Sequence, residues 1–400
     1  MLRIDSSFRG LFLNKSTMNV SHIAGKNLHD FFRPFSRVLK KAQQKNCFSM
    51  LKGMIEGETV QLSSVGKKLG ERGKTFCEKV GRMLAGIGLL GLVQLSKMEG
   101  TKFELLIVDE SDCQRRYAKK IKGVTNIRDG STGDIHGKGY GLFCVVGKTD
   151  EGYVPLILER YEEQNRSLEK IILKTMERLG PDHGGVWTMD RGFDDRKAFD
   201  LLLNHDQQFL IRIDRRGGQR LLVVGEEYEK HLVSELTAHM GEIGYRRVRL
   251  PGRKEELTLI HYHWKKYREP IALLTTLTPR TMKQAIAIAK KYLKRWKIED
   301  YFRFVKTRLN LEDIMIQKPK RVDGLLTLVL LASAFIMKYE QSKRDYALET
   351  HYRCWLQKNQ AITSWSAFSR FLQELFREWT LTFRITHHPP NSLQLALIPI

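Results

Sequence analysis

Cysteine is scarce in this chain of 400 residues, and its five cysteines are scattered without a C-x-x-C pair. An odd number of dispersed thiols argues against a disulfide scaffold or zinc fingers and is typical of a reducing compartment. Long hydrophobic runs are also missing, because the longest uncharged apolar stretches, residues 83–96 and 324–337, have 14 residues each. A membrane-spanning helix needs about 20, so both stretches predict buried core helices.

The first residues of the chain, 1–5, include an acid and start no apolar segment of the kind found in secretory signals. Together with the unpaired thiols, this pattern predicts a cytoplasmic protein with no membrane partner.

Acidic residues are in short supply, since 45 Asp and Glu face 68 Lys and Arg, a formal net charge of +23. Such a surplus predicts a polyanionic partner, most commonly nucleic acid. It is concentrated in residues 1–100, with 17 basic against 7 acidic side chains, and in residues 281–345, with 15 against 7. The hydrophobic share of 42% predicts buried cores, and the length predicts two to four domains.

The first hundred residues are expected to be helical. Residues 59–69 and 73–84 place apolar side chains at helical spacing, and Gly70 separates them. The basic residues of the second segment include Lys74, Lys79 and Arg82. Two short helices around a Gly-containing turn, the second one basic, outline a DNA-binding helix-turn-helix. A plain helical hairpin with a solvated basic face is an equally good interpretation.

From residue 103 the hydrophobic pattern predicts an α/β domain with a mixed sheet. The predicted strands are residues 103–109, 140–147, 153–158, 186–190 and 209–214, and the helices are residues 164–179 and 194–204. Residues 215–280 read as mostly β. Residues 281–309 contain no Gly or Pro and predict one long helix, and residues 320–382 are predicted helical again.

Two acids, Asp109 and Asp190, stand at the ends of predicted strands, where α/β sheets gather ligands and catalytic groups. Either residue alone could equally be a turn or helix-cap acid. Asp112 and Asp194 are nearby alternatives.

Four residues of the long predicted helix, Tyr292, Arg295, Glu299 and Lys306, are spaced 3, 4 and 7 apart. At about 100° per residue they share one polar stripe, long enough to follow an extended anion. The competing interpretation is a solvated face with an Arg295–Glu299 pair worth only about 0.3–0.5 kcal/mol.

Asp109, Asp190 and Glu299 together offer three hard oxygen ligands without a Cys or His partner. Such a set suits Mg²⁺ or Mn²⁺. Two such ions about 3.5–4 Å apart can promote the cleavage and transfer of phosphodiesters.

The pattern Tyr292-x2-Arg295-x3-Glu299-x6-Lys306 resembles the Tyr-Arg-Glu-Lys signature of the insertion-sequence-four family of DDE transposases. Residues 106–112 (LIVDESD) resemble that family's first Asp motif, and residues 188–193 (TMDRGF) resemble its second. The resemblance covers roughly residues 55 to 340.

The resemblance implies a ribonuclease H-like mixed sheet flanked by helices, in which Asp109, Asp190 and Glu299 are the catalytic, metal-binding triad for two Mg²⁺ or Mn²⁺ ions. It implies DNA contacts for Tyr292, Arg295, Lys306 and, on the strand after the second Asp, Arg212. It also implies a homodimer in a synaptic complex on double-stranded DNA, in a bacterial cytoplasm and associated with the nucleoid.

We therefore expect a DNA transposase that binds inverted repeats and catalyses metal-dependent strand cleavage and 3′-OH strand transfer. The alternatives are a ribonuclease H-like endonuclease without strand transfer and a non-catalytic DNA-binding derivative. The expected segments are a helical DNA-binding domain (1–98), the catalytic core (99–214 and 281–318), a β-rich insertion (215–280) and a helical C-terminal region (319–400). For a flipped base, Trp187 and Trp264 are the nearby indoles, although core packing is the simpler role for both.

Overall fold

The computed structural model describes residues 6–115, 124–127, 137–161, 167–180, 182–214, 220–225, 229–238, 243–263, 270–341 and 346–387. The described residues divide into two compact units. A sheet unit comprises residues 95 to 302, and a helical unit comprises the described residues before 95 and after 302.

The sheet unit contains eleven strands among its described residues. They are β1 (Leu105–Gln114), β2 (Thr125–Ile127), β3 (Gly137–Thr149), β4 (Gly152–Tyr161), β5 (Val186–Met189), β6 (Phe209–Ile213), β7 (Leu221–Val224), β8 (Glu229–Leu232), β9 (Ile243–Val248), β10 (Leu257–Tyr262) and β11 (Ile271–Thr275). Nine of them form one sheet in the order β2-β3-β1-β5-β6-β11-β10-β9, with β4 paired to β3, while β7 and β8 form a separate hairpin.

The sheet is mixed, as the sequence predicts. Strands β1, β3 and β4 pair antiparallel, β1, β5 and β6 pair parallel, and β6, β11, β10 and β9 return to antiparallel pairing. Every residue of β5, β10 and β11 is buried, so these strands do not alternate between apolar and polar side chains as strands with one solvent-exposed face do.

Two helices lie between the parallel strands along the chain, α6 (Leu168–Leu179) and α7 (Arg196–Asn204). Ser167 caps α6 and Asp195 caps α7, each through its side-chain oxygen. Both helices supply core side chains, and the fully buried Trp187 lies among them, with its indole Nε1 donating to Gln207 Oε1 at 3.1 Å. Trp187 is therefore a core residue, and Trp264 lies outside the described residues.

Several predicted boundaries are wrong. Strand β1 does not end at Asp109 but continues to Gln114, because the long strand β3 pairs with it residue by residue as far as Gly139. The short strands β2 and β8 and the helix α8 (Val233–Ala238) were not predicted. Within the predicted β-rich insertion, β9, β10 and β11 continue the main sheet, because β11 pairs with the edge of β6.

The predicted long helix of residues 281–309 is present but not uniform. It consists of α9 (Met282–Leu293), a tighter 3₁₀ turn at Lys294–Trp296, and α10 (Lys297–Arg308). The side chain of Thr281 caps α9 by accepting from Gln284 N. The turn contains Arg295, so the change of winding falls inside the predicted polar stripe.

The remaining α-helices among the described residues are α1 (Ser6–Ser36), α2 (Lys41–Gly57), α3 (Leu62–Lys68), α4 (Gly73–Leu84), α5 (Leu89–Ser96), α11 (Pro319–Gln341), α12 (Tyr346–Lys358) and α13 (Trp365–His387). In the helical unit, α11 packs against α2, α4 and α13, and α1 packs against α12 and α13. The predicted N-terminal and C-terminal helical regions thus share one compact unit rather than forming two.

Helix α11 is the one described helix with the length and composition of a membrane span, and 83% of its most apolar window is buried inside the structure. The burial agrees with the core helix predicted for residues 324–337. Gly324 is where the helix approaches α4 most closely, since a Cβ there would lie 2.0 Å from the backbone oxygen of Leu84.

Candidate active site

Asp109 and Asp190 lie side by side on neighbouring strands. The parallel pairing of β1 with β5 ends at Ile107 opposite Thr188, and each aspartate follows two residues later. Since neighbouring strands are about 4.8 Å apart and side chains alternate with a period of two, the two carboxylates emerge from the same edge on the same face. The sequence predicted each acid at the end of a strand, which the structure bears out for Asp190 but not for Asp109, since β1 continues to Gln114.

Asp190 is fixed by the turn that follows it. Its Oδ1 accepts a hydrogen bond from Gly192 N at 2.7 Å and caps the short 3₁₀ turn Arg191–Phe193. A Cβ at residue 192 would lie 3.0 Å from that same oxygen. The glycine therefore lets the backbone approach the carboxylate without displacing it, and it leaves the other oxygen of Asp190 available.

Arg295 connects the remaining two acids. Its Nη1 donates to Asp109 Oδ2 at 2.9 Å, and its Nη2 donates to Glu299 Oε1 at 2.6 Å. Arg295 as a whole is only 7% exposed. The Arg295–Glu299 pair that spacing predicts is therefore present, but Arg295 is buried against the sheet instead of lying on a solvated face.

Burial dominates the electrostatics of Asp109. The pKa of its carboxyl is raised from 3.8 to about 7, mainly by loss of water and also by the negative charges of Asp190 and Glu299, against the opposing effect of Arg295. All three acids therefore act on one small region. Asp109 Oδ1 also accepts from the Glu110 backbone N at 2.9 Å.

Tyr292 lies behind Arg295 rather than on the surface. It is 2% exposed, and the Arg295 guanidinium carbon lies 6.0 Å from its ring centroid. Burial raises the pKa of its phenol, while the charges of Arg295 and Arg212 lower that pKa. The sequence prediction has Tyr292 and Arg295 touching DNA, but in this structure both are buried, and Tyr292 packs against Arg295.

Arg212 lies next to Asp190 on the neighbouring strand. Met189 on β5 pairs with Ile211 on β6, and Asp190 and Arg212 are the residues that come directly after this pair. It is half-buried and close enough to Tyr292 to influence its ionisation. The structure thus brings together five of the predicted residues, namely Asp109, Asp190, Arg212, Tyr292 and Arg295, with Glu299 joined through Arg295.

The two alternative acids have other surroundings. The carboxylate of Asp194 is held by Arg220 Nε at 2.5 Å and by the backbone N of Asp214 at 2.7 Å, which gives it a structural role. Asp112 stands three residues after Asp109 on β1, so its side chain points to the opposite face of the strand.

The other predicted DNA-binding residues differ in how their charge is satisfied. Lys306 pairs with Glu312 at 3.5 Å, and Lys79 pairs with Glu71 at 2.6 Å. Lys74 and Arg82 on α4 are exposed. The predicted pair of helices is confirmed as α3 and α4, whereas their contact with DNA stays a prediction.

Sequence reasoning overlooked Trp296, which is 54% exposed on the turn next to Arg295. A single exposed hydrophobic side chain is common on protein surfaces, so the exposure of Trp296 alone assigns it no partner. Its position directly after the arginine of the four-residue pattern was visible in the sequence, but only the spacing of the polar residues was considered.

The donor set of this site fits a hard divalent cation. Asp109, Asp190 and Glu299 supply only carboxylate oxygens, and their mutual repulsion is the kind that bound cations relieve. In the described part of the chain, no three His, Cys, Asp or Glu side chains are grouped as ligands of one ion, and the cation between Asp109 and Glu299 is the guanidinium of Arg295.

Comparison with known proteins identifies the family. The family model of the transposase DDE domain matches residues 102–335, a span that contains Asp109, Asp190 and Glu299. No curated protein matches the chain. Because the matched span covers more than half of the 400 residues, the chain belongs to the transposase DDE domain family.

Proposed function

We propose that this protein is a DNA transposase of the insertion-sequence-four family, which binds inverted repeats at the ends of its element, cleaves there and joins the 3′-OH to target DNA. The observation that carries the proposal is the registered pair Asp109 and Asp190, with Glu299 joined to Asp109 by the buried Arg295. Membership in the transposase DDE domain family supports the part of the proposal that makes the chain a transposase, an enzyme acting on DNA phosphodiesters.

The catalytic core in this proposal is ribonuclease H-like. The antiparallel strands β4, β3 and β1 lead into the parallel strands β5 and β6, with α6 before β5 and α7 before β6. This arrangement puts the first two acids on adjacent central strands and supports the proposed fold. The third acid comes from α10, after the β-rich insertion of residues 215–280.

Asp109, Asp190 and Glu299 would hold two Mg²⁺ or Mn²⁺ ions. When bound, such ions polarise the phosphodiester, activate the attacking hydroxyl and stabilise the departing oxygen. Arg295 would keep Asp109 and Glu299 oriented before the ions bind, and Tyr292 would keep Arg295 from turning to solvent. Gly192 would hold Asp190 in its position through the backbone hydrogen bond.

Double-stranded DNA is the proposed partner at both the element's ends and the target. Arg212 and Lys306 would contact the cleaved strand, and the exposed Lys74 and Arg82 in the segment 1–98 would contact the end sequence. We further propose a homodimer holding two ends in a synaptic complex, in the bacterial cytoplasm and associated with the nucleoid.

A strand-transfer assay tests the proposed function. The substrate is DNA carrying the inverted repeats that flank the reading frame, precut to expose the 3′-OH, together with a supercoiled target plasmid and Mg²⁺. We expect covalently joined products. A parallel reaction contains the same end DNA uncut. Cleavage of the uncut DNA without joining of the precut DNA would favour the structure-specific endonuclease, and end binding without either reaction would favour a non-catalytic derivative, so both results would overturn the proposal.

A further inference from the structure

The helical unit contains a cavity of about 300 Å³. Its walls come from the start of α3, from Cys77 and Gly81 on α4, and from residues 315–318 with Arg321 on α11. The charged side chains among these described lining residues are Lys318 and Arg321, both cationic. We call this cavity the cationic notch.

Arg321 is held at the notch by close packing. A Cβ on Gly81 would lie 3.2 Å from Arg321 Nη1, so the absence of a side chain at residue 81 lets the guanidinium lie against α4. Arg321 is half-buried, and no described side chain or backbone oxygen accepts from its guanidinium. A partly desolvated guanidinium gains most from an anion that offers paired oxygens.

The surroundings of the notch extend this positive charge. Lys318 is exposed, and among the described residues it too lacks an acidic partner. Lys74, Cys77 and Gly81 are spaced 3 and 4 apart on α4, so they share one face within about 60°. The exposed Lys74 therefore lies on the same face of α4 as the two residues that line the notch. Glu78 is exposed on the same side of α4 but does not line the cavity.

The apolar part of the notch fits the rest of a nucleotide. Met315 is 71% exposed at its rim, next to the half-buried Ile316. An exposed apolar side chain beside two cations suits a ligand that carries both an anionic and an apolar part, as a phosphate and its deoxyribose do. A small inorganic anion would leave Met315 without a contact.

We propose that the cationic notch binds a backbone phosphate of duplex DNA, with Arg321 as its anchor and Lys318 and Lys74 beside it. The proposal rests on the proposed function, since it assigns a further contact to the same DNA. It adds Arg321 and Lys318 to the DNA interface. It also explains the glycine at residue 81, because a side chain there would crowd the Arg321 guanidinium. It leaves Lys79, paired with Glu71, outside the contact.

Salt-dependent binding of the full chain to a 30-base-pair duplex in EDTA tests this inference. Each lost phosphate contact lowers the slope of log affinity against log salt by about 0.9, so Arg321→Ala should lower it by about that amount, with roughly a tenfold loss of affinity at 0.1 M salt. Gly81→Ala, which keeps the net charge, should also weaken binding. Arg353→Ala, an exposed arginine of α12 paired with Glu349, is the matched control and should change the slope by less than half as much.

Three results would overturn the proposal that the cationic notch binds a DNA phosphate. One is an equal slope change in Arg321→Ala and Arg353→Ala at unchanged melting temperature. Another is a Gly81→Ala variant that folds and binds like the wild type. The third is stabilisation by inorganic phosphate that Arg321→Ala abolishes while DNA affinity stays unchanged, which would assign the site to a free anion.

The two proposals can fail separately. If strand transfer occurs but Arg321→Ala binds DNA like the wild type, only the proposed phosphate contact at the cationic notch is wrong. If Arg321→Ala lowers the salt slope as expected but the wild type neither cleaves nor joins DNA, the proposed phosphate contact is supported and the proposed transposase activity is wrong.

Discussion

The carboxylate site of the sheet unit and the cationic notch of the helical unit satisfy their charges in opposite ways. At the first, Asp109 and Glu299 share the buried guanidinium of Arg295, and Asp190 adds a third negative charge. At the second, Arg321 and Lys318 line a cavity whose described walls contain no acid.

The difference indicates what each region lacks. The acids are in excess over their one shared cation, so this site is suited to further positive charge. Among the described residues, the two cations of the notch have no acceptor, so the notch is suited to a phosphate. Net charge alone predicts only a polyanionic partner, whereas the two arrangements support the proposals of one region for phosphodiester chemistry and another for holding DNA.

The largest expected effect tests the packing that creates the notch. Gly324→Ala would put a Cβ 2.0 Å from the Leu84 backbone oxygen, where neither group can move cheaply, so we expect a loss of about 3 kcal/mol or more in the free energy of unfolding. Urea unfolding followed by circular dichroism measures it. Gly91→Ala on α5, where nothing lies within 4 Å of the new Cβ, is the control and should change stability by less than about 1 kcal/mol. Equal stability of the two variants would refute the close approach of α4 and α11.

Removing the shared cation is expected to have the next largest effect. Arg295→Met leaves Asp109 and Glu299 without their guanidinium, and we expect a loss of about 2–3 kcal/mol at pH 8. The loss should shrink at pH 5, because Asp109 can then be protonated. Chemical denaturation at both pH values measures this, with Arg353→Met as the exposed control. A loss that does not depend on pH would show that Arg295 contributes packing rather than charge.

Asp109 itself should make stability depend on pH. The pKa of its carboxyl is about 7 in the folded protein against 3.8 for the ordinary group, so its contribution to stability is complete below about pH 4 and is lost as the pH rises through about 7. Asp109→Asn should remove this decline, which is at most about 4 kcal/mol between pH 4 and 8 for a shift of about three pKa units. Thermal melts across that range, with the exposed Asp150→Asn as control, give the answer. A wild-type decline that survives in Asp109→Asn belongs to other groups.

The smallest effect separates two lysines of α4. Lys74→Ala should lower the salt slope of DNA binding by about 0.9, since the exposed Lys74 lies on the face that leads to the notch. Lys79→Ala should lower it by much less, because Lys79 already pairs with Glu71 at 2.6 Å. The same fluorescence-anisotropy titrations serve for both variants. A larger effect from Lys79 would place the DNA on the other side of α4.

Much of the candidate site was predictable because its residues follow local patterns. Short apolar runs ending at Asp109 and Asp190 predicted two strands, and the observed register shows that they are neighbours and brings the two acids to one edge. Helical spacing predicted the Arg295–Glu299 pair, and the Gly-separated segments predicted α3 and α4, with the second helix at the observed residues 73–84.

What sequence could not predict depends on contacts between distant segments. The contact of Arg295 with Asp109 joins residues 186 positions apart, and it turns an apparently solvated arginine into a buried one. The extension of β1 to Gln114 depends on pairing with β3, and the joining of β9 to β11 onto β6 depends on an edge that no local pattern reveals. The 3₁₀ turn at Lys294–Trp296 contains no Gly or Pro, so no local residue pattern predicts the change from α-helical to 3₁₀ winding there.

The most direct test of the central claim is cleavage of element-end DNA in Mg²⁺ by Glu299→Gln, compared with Glu349→Gln. Both changes replace one helical glutamate that pairs with an arginine four residues away. We expect Glu299→Gln to lose cleavage by roughly 10³-fold or more while still binding the end, because it removes one of three ion ligands, and Glu349→Gln to cut like the wild type. Cleavage by Glu299→Gln at the wild-type rate would contradict the assignment of Asp109, Asp190 and Glu299 as one catalytic centre.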